Sequence, residues 1–340
     1  MRFKGISRKT VNISQAGLIE TQLIQPNQRL PLVVKPAVSD ISLINWTATN
    51  KTFIETMLLQ HGGILFRGFK LQLASEFEAL IRALSGKLTE YSYRSTPRSK
   101  VSGNVYTSTE YPADQLIPLH NEMAYASSWP MKILFFCSEA AQHGGETPIA
   151  DSRKVFQRVN PDVRERFRHK KIMYVRNYGE GLDLHWKTVF QTNEKSEVET
   201  YCHQAEIEFE WRGADHLRTR QVCQAVATHP KTGETVWFNQ AHLFHVSSLK
   251  TEVRDFLLSV LKEPDLPRNA YYGDGSRIED SILDEIREIY HQETIMFRWQ
   301  KGDILLLDNM LTAHGRMPFL GARKVVVGMA EPYSETVQNR

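Results

Sequence analysis

Four short apolar runs constrain this chain more than any other feature: GGILFRGF (62–69), MKILFFC (131–137), DILLLD (303–308) and KVVVGMA (324–330). Each has too few residues for a buried helix, is rich in Ile, Leu, Val and Phe, and is bounded by Gly, Asp or Lys. That is the pattern of strands, the first of them a buried one. Further strands are expected at 208–211, 235–239 and 294–299. Apolar residues three and four apart predict helices at 52–59, 76–84, 197–206, 252–262 and 278–291. The expected fold is mainly β with helical insertions, an α+β chain built on a double-stranded β-helix (jelly roll) core.

Length and composition allow residues 1–340 to form a single domain, because barrels with helical insertions commonly reach this size. Residues 1–45 show little periodicity and several Pro and Asn, and are expected to be an irregular N-terminal arm with extended pieces such as Leu32-Val33-Val34. The charged and mixed stretch 160–245 reads as an insertion forming a lid over the mouth of the barrel. The 42 basic and 39 acidic residues are dispersed along the chain, for a net charge of +3. No basic stripe argues for nucleic acid or a membrane surface, and the mild positive bias is compatible with an acidic protein partner. Cys137, Cys202 and Cys223 are odd in number and lack a CxxC pair, so inert thiols in a reducing compartment are expected. The start, MRFKGISRKTVNIS, lacks the apolar core of a signal peptide, and no apolar run is long enough to span a bilayer. A cytoplasmic location is expected.

Two histidines and one carboxylate on one side of a metal leave open positions for a bidentate ligand and O2, and the local form is His-x-Asp/Glu with a distant His. LHNEM (119–123) supplies His120 and Glu122, and TAHGR (312–316) supplies His314. With 12 histidines and 39 acidic residues, about one His-x-acid match arises by chance, and His291-Gln-Glu293 is a second. That pair ends a predicted helix, where residues two apart point roughly 200° from each other. His120 instead follows irregular chain and precedes a strand. His242 and His245, one helical turn apart, have no acidic partner in the pattern and are read as structural.

These segments resemble the taurine dioxygenase/TfdA-like family of Fe(II)- and 2-oxoglutarate-dependent oxygenases, most closely its SyrP-like branch. The resemblance runs in family order over residues 60–332. It rests on NVYTSTEYPADQLIPLHNEMAY (104–125), HGGETPIADSRKV (143–155), RTRQ (218–221), HPKTGETVWFNQAHLFH (229–245), NAYYGDGS (269–276) and KGDILLLDNMLTAHGRMPFLGARKVVVGMAEP (301–332).

The resemblance implies that His120, Glu122 and His314 hold Fe(II), that Thr147 touches 2-oxoglutarate, and that a basic residue beyond His314 grips its distal carboxylate. Arg323 is the choice, since a planar always-charged fork suits a carboxylate. Lys324, at the position of the clamp in some members, is the alternative, and only one of the two can face inward. Taurine dioxygenase has a sulfonate-binding arginine four positions further on; Gly328 or Val327 stands there, so taurine is not expected as substrate. Glu122 fills the place that related halogenases leave open for chloride, so hydroxylation is expected.

The branch further implies β-hydroxylation of an amino acid or a carrier-tethered aminoacyl unit. Arg316, Arg220, Gln221 and Asn239 are candidates to read the substrate's polar groups, and Phe238, Trp237 or Phe244 to wall its pocket. Desaturation, epimerisation and cyclisation use the same ligands. A non-catalytic jelly-roll binding module and a cupin-like or zinc-hydrolase site are the readings from other classes.

Overall fold

The computed structural model describes residues 17–334 except 27, 87, 89–99, 104, 108–110, 180–182 and 214. Residues 1–16 of the expected arm lie outside the described residues. The rest of that arm differs from the expectation: it forms a hairpin, β1 (Ile19–Gln25) and β2 (Gln28–Pro36). The reason is partnership. Leu32, Val33 and Val34 are buried because β2 lies parallel to β3 (Gly63–Phe66), which the intervening α1 (Leu43–Thr49) and α2 (Lys51–His61) make possible.

Next come α3 (Ala74–Ser85), β4 (Lys100–Ser102), β5 (Val105–Thr107), β6 (Ile117–His120) and β7 (Ser128–Glu139). β8 (His143–Gly144) and β9 (Ile149–Asp151) lead into α4 (Ser152–Arg158) and α5 (Pro161–Lys170). Within the region expected as a lid run β10 (Ile172–Tyr178), α6 (Trp186–Phe190), α7 (Lys195–Gln204), β11 (Glu208–Arg212), β12 (His216–Cys223), β13 (Val226–Thr228), β14 (Thr235–Trp237) and α8 (Ala241–Phe244). The chain continues through α9 (Thr251–Val260), β15 (Arg268–Tyr272), α10 (Asp280–Gln292), β16 (Ile304–Asp308), β17 (Thr312–Arg316), β18 (Phe319–Leu320) and β19 (Lys324–Ser334).

The result is a mixed α/β fold. Its largest sheet has eight strands in the order β1-β2-β3-β16-β7-β19-β5-β4, and three of the four apolar runs form its centre with β3 beside them. Alternation explains why these runs are apolar throughout. Leu134, Phe136, Ile304 and Leu306 face one cluster with Trp46, Leu58 and Phe77 from the N-terminal helices. Ile133, Phe135, Leu305, Leu307 and Val327 face the other cluster, so both faces are covered. Gly328 belongs to the helix side, where an added Cβ would stand 2.3 Å from Ile81 Cδ1.

A three-stranded sheet, β6-β17-β9, and a four-stranded one, β11-β12-β10-β15, complete the frame of the site. The strand expected at 294–299 is extended, with Ile295, Phe297 and Trp299 buried while Met296 is exposed. Its only described ladder contact is the bridge Ile149↔Ile295, so the period-two signal is present without a partner strand.

Candidate metal centre

In the antiparallel β6–β17 pair, His314 stands directly opposite His120. Directly opposed residues project to the same face, which brings the two rings to 4.6 Å between centroids. The chain then leaves β6 in a turn in which Met123 adopts φ +57°, and Glu122, just before it, lies close to His120. One ligand atom from each of His120, Glu122 and His314 lies within 4.8 Å of the others, and among the described residues no other His/Cys/Asp/Glu group gathers so closely. Glu122 and His314 are buried and His120 is partly exposed. His120 Nδ1 lies 2.8 Å from Pro118 O; a carbonyl only accepts, so Nδ1 carries the hydrogen and Nε2 keeps its lone pair for a metal. Two neutral imidazoles and one carboxylate suit a divalent first-row ion and leave coordination positions open.

The backbone carrying these groups is fixed by buried amides. Asn309 Oδ1 accepts from Glu122 N at 2.8 Å, while Asn309 Nδ2 donates to Glu122 O and Pro130 O, both at 2.9 Å. Asn121 Nδ2 donates in turn to Asn309 O at 2.7 Å. Asn309 is held by its neighbour Asp308, whose Oδ1 accepts from Met310 N and Leu311 N and whose Oδ2 accepts from His229 Nε2 at 3.0 Å. Phe135 packs its ring 5.1 Å from that of His314.

Thr147 and Arg323 lie on segments that meet. The β9–β17 pairing sets Ile149 opposite His314, two residues from Thr147, and Gly315 N donates to Pro148 O at 2.9 Å. Thr147 is buried and its Oγ1 accepts from Trp299 Nε1 at 3.1 Å. Arg323 Nε donates to Gly145 O at 2.9 Å, and a Cβ on Gly145 would meet Arg323 Cδ at 2.9 Å. Only glycine, here at φ +73°, lets the arginine lie against the turn. Burial first, and then the neighbouring positive charge of Arg316, push the Arg323 guanidinium down to about 10, so the spot favours an incoming anion. Lys324 is exposed, on the far side of a register shift between Lys324 and Val325.

Of the residues expected to read the substrate, Arg316 lies on β17 two residues beyond His314 and close enough to Arg323 to depress its ionisation. Arg316 is buried and donates to Tyr111 O (2.9 Å), Pro112 O (2.5 Å) and Gln115 O (2.9 Å), fastening the 111–115 loop. Gln221 Nε2 donates to Ala205 O, while Asn239 Nδ2 donates to Ala225 O and its Oδ1 accepts from Ala241 N. Phe238 packs on Trp129 at 4.8 Å. Arg220 lines a cavity of about 370 Å³ with Met173, Val175, Arg218 and Tyr271, and none of the three converging residues borders it. Strand alternation is the cause, because Leu217, Thr219 and Cys223 take the core face of β12 and leave Arg218 and Arg220 on the other. His291 is exposed and Glu293 pairs with Arg158, which separates the second His-x-acid match. His242 is buried and bonds Leu119 O through Nε2. No pattern in the sequence marked roles for Asn309, Gln240 and Trp299, since a single buried amide or indole leaves no periodic signature.

The profile of the family described as "Taurine catabolism dioxygenase TauD, TfdA family" matches residues 28–330. The dapdiamide synthesis protein DdaC of Enterobacter agglomerans is 42% identical over 300 residues, 88% of this chain and 91% of that protein. A clavaminate synthase-like protein of Arabidopsis thaliana is 30% identical over 336 residues, 92% of this chain and 98% of that protein. Among solved structures, PvcB from Pseudomonas aeruginosa superposes with a TM-score of 0.55 at 14% identity, covering 96% of this chain and 94% of its own. A second PvcB structure, described as an Fe, alpha-ketoglutarate dependent oxygenase from an isonitrile synthetic pathway, gives 0.54 at 14% identity, covering 92% and 90%.

Proposed function

Because the chain belongs to the TauD/TfdA family and is a dioxygenase dependent on Fe(II), 2-oxoglutarate and O2, we propose that it hydroxylates an unactivated C–H of an amino acid. The reading extends to the β-carbon of a free or carrier-tethered aminoacyl unit in specialised-metabolite biosynthesis. The observation that carries it is the convergence of His120, Glu122 and His314 within 4.8 Å. DdaC, named for dapdiamide synthesis, supports the biosynthetic setting.

In this reading His120, Glu122 and His314 hold the metal, and the eight-stranded and β6-β17-β9 sheets are the walls of a double-stranded β-helix. When bound, Fe(II) with 2-oxoglutarate and O2 supplies the oxidation of the C–H bond, at the expense of decarboxylation of 2-oxoglutarate to succinate. Everything else is positioning. The His120 ring is held by Pro118 O and the Glu122 main chain by Asn309. Arg323, seated on Gly145, presents a fork for the distal carboxylate of 2-oxoglutarate, and Thr147 lines the same turn. Buried Phe135 keeps water from one flank of His314. The 160–245 region serves as the lid of one domain, an acidic carrier protein as the partner, and the cytoplasm as the location. Among the described residues no helix is long and apolar enough to cross a membrane.

The test starts from metal-free protein given Fe(II) and then 2-oxoglutarate without oxygen. A weak visible charge-transfer band is expected in the wild type and not in His120→Ala or His314→Ala. Succinate release on adding O2 then screens free amino acids against carrier-tethered ones, with one added oxygen in the product mass. Absence of the band in wild-type protein would sink the assignment.

A further inference from the structure

Between Leu119 and Ala126 the main chain leaves β6 and turns before entering β7, so its carbonyls have few sheet partners. This is the passage that carries His120 and Glu122. Besides Glu122 O, which Asn309 Nδ2 takes, several of its carbonyls are met by side chains of one distant segment. His242 Nε2 donates to Leu119 O at 3.0 Å, and Gln240 Nε2 donates to Asn121 O at 2.7 Å. Gln224 Nε2 donates to Ala124 O at 3.1 Å and Ala126 O at 3.4 Å, and Cys223 Sγ to Tyr125 O at 3.3 Å. Residues 223–242 therefore act as a splint, and the donors of this segment that serve the main chain next to His120 and Glu122 are Gln240 and His242.

Both are themselves fixed. Gln240 N donates to Tyr174 Oη at 2.7 Å on β10, and Ala241 N donates to Asn239 Oδ1 at 3.0 Å. The His242 ring stacks on Tyr290, centroids 4.7 Å apart, and Arg287 Nε donates to His242 O at 3.1 Å. Gln240 and His242 are 5% and 3% exposed, so water cannot replace either donor without reopening the core.

We propose that Gln240 and His242 are positioning residues for the metal centre, setting the orientation of Glu122 and His120 through Asn121 O and Leu119 O. The proposal rests on the reading that His120, Glu122 and His314 hold the metal. The geometry of a metal site tolerates little displacement of its ligands, and groups that orient ligands typically alter metal affinity about 10–100-fold when removed.

The experiment titrates metal-free full chain with Mn(II), an air-stable probe of the Fe(II) site, by calorimetry, and records the melting temperature of each metal-free variant. Gln240→Ala and His242→Ala are expected to weaken Mn(II) about 10–100-fold, and His242→Gln, which keeps an N–H donor, to recover most of the loss. Asn177→Ala is the comparison, because it removes a buried amide that serves Pro264 O and Leu266 O far from this passage. It should lower melting without weakening Mn(II). Unchanged affinity in Gln240→Ala and His242→Ala overturns the proposal, as does an equal loss in Asn177→Ala. If wild type and His120→Ala bind Mn(II) alike, the three-residue site itself is wrong and the proposal falls with it; normal loss in His120→Ala with no loss in the other two isolates the failure to the splint.

Discussion

Arg323 and Lys324 are adjacent cations with opposite surroundings. The first lies against Gly145 with its charge poorly hydrated, and the second is exposed. A charged hydrogen bond to a carboxylate contributes about 1.5–3 kcal/mol, so Arg323→Ala should raise the KM for 2-oxoglutarate by about 10–100-fold. Lys324→Ala should leave it within about 2-fold. Steady-state kinetics with 2-oxoglutarate varied checks both, and a larger effect at Lys324 would reverse the assignment. Asp183 gives a second prediction at this scale. Burial opposes its ionisation, but Arg268 at 2.5 Å and Arg176 at 3.6 Å outweigh that cost and hold its carboxyl below the usual range. A lowered native pKa stabilises the fold above the unfolded-chain value and loses that contribution as pH falls through the native one. Urea midpoints of the wild type should therefore drop with acidification more steeply than those of Asp183→Asn.

At the scale of elements, the β16–β17 connection matters more than either strand. Asn309 sits there and satisfies one N–H and two carbonyls of the chain opposite it. Removing a buried group that leaves several partners unmet costs about 3 kcal/mol, which is the loss expected for Asn309→Ala in denaturant unfolding; Asn309→Asp, which turns a buried carboxylate oxygen toward both carbonyls, should recover none of it. The elements were legible where physics is periodic. The apolar runs became the centre of the main sheet and the amphipathic patterns at 52–59, 76–84 and 278–291 became α2, α3 and α10. The hairpin at the N-terminus was not, because β1 is mostly exposed and its identity as a strand comes from pairing with β2. His120 and Glu122 were legible as a spacing, but their advantage over His291 and Glu293 came from the setting, a strand exit against a helix end. Sequence position alone did not show that main chain takes up part of the hydrogen bonding of Gln221, Asn239 and Arg316.

For the molecule as a whole, the three cysteines are free and buried on different elements. Burial pushes the Cys137 thiol up to about 11 and the Cys202 thiol up to about 12, and only thiolates react readily. The native protein should resist a thiol reagent at neutral pH and release all three groups after denaturation; rapid labelling of the folded chain would show that the core opens more than its packing implies. His120 and His314 lie opposite each other in a single strand pair, yet the main sheet gains its central strands β16 and β19 only from residues 304–334. A growing chain on the ribosome therefore carries two of the three proposed ligands, His120 and Glu122, long before His314 can join them. Pairing over so long a separation is slow, so on the proposed ligand set a metal is expected to be captured after the sheet has assembled, as a lock on a completed fold rather than as its seed.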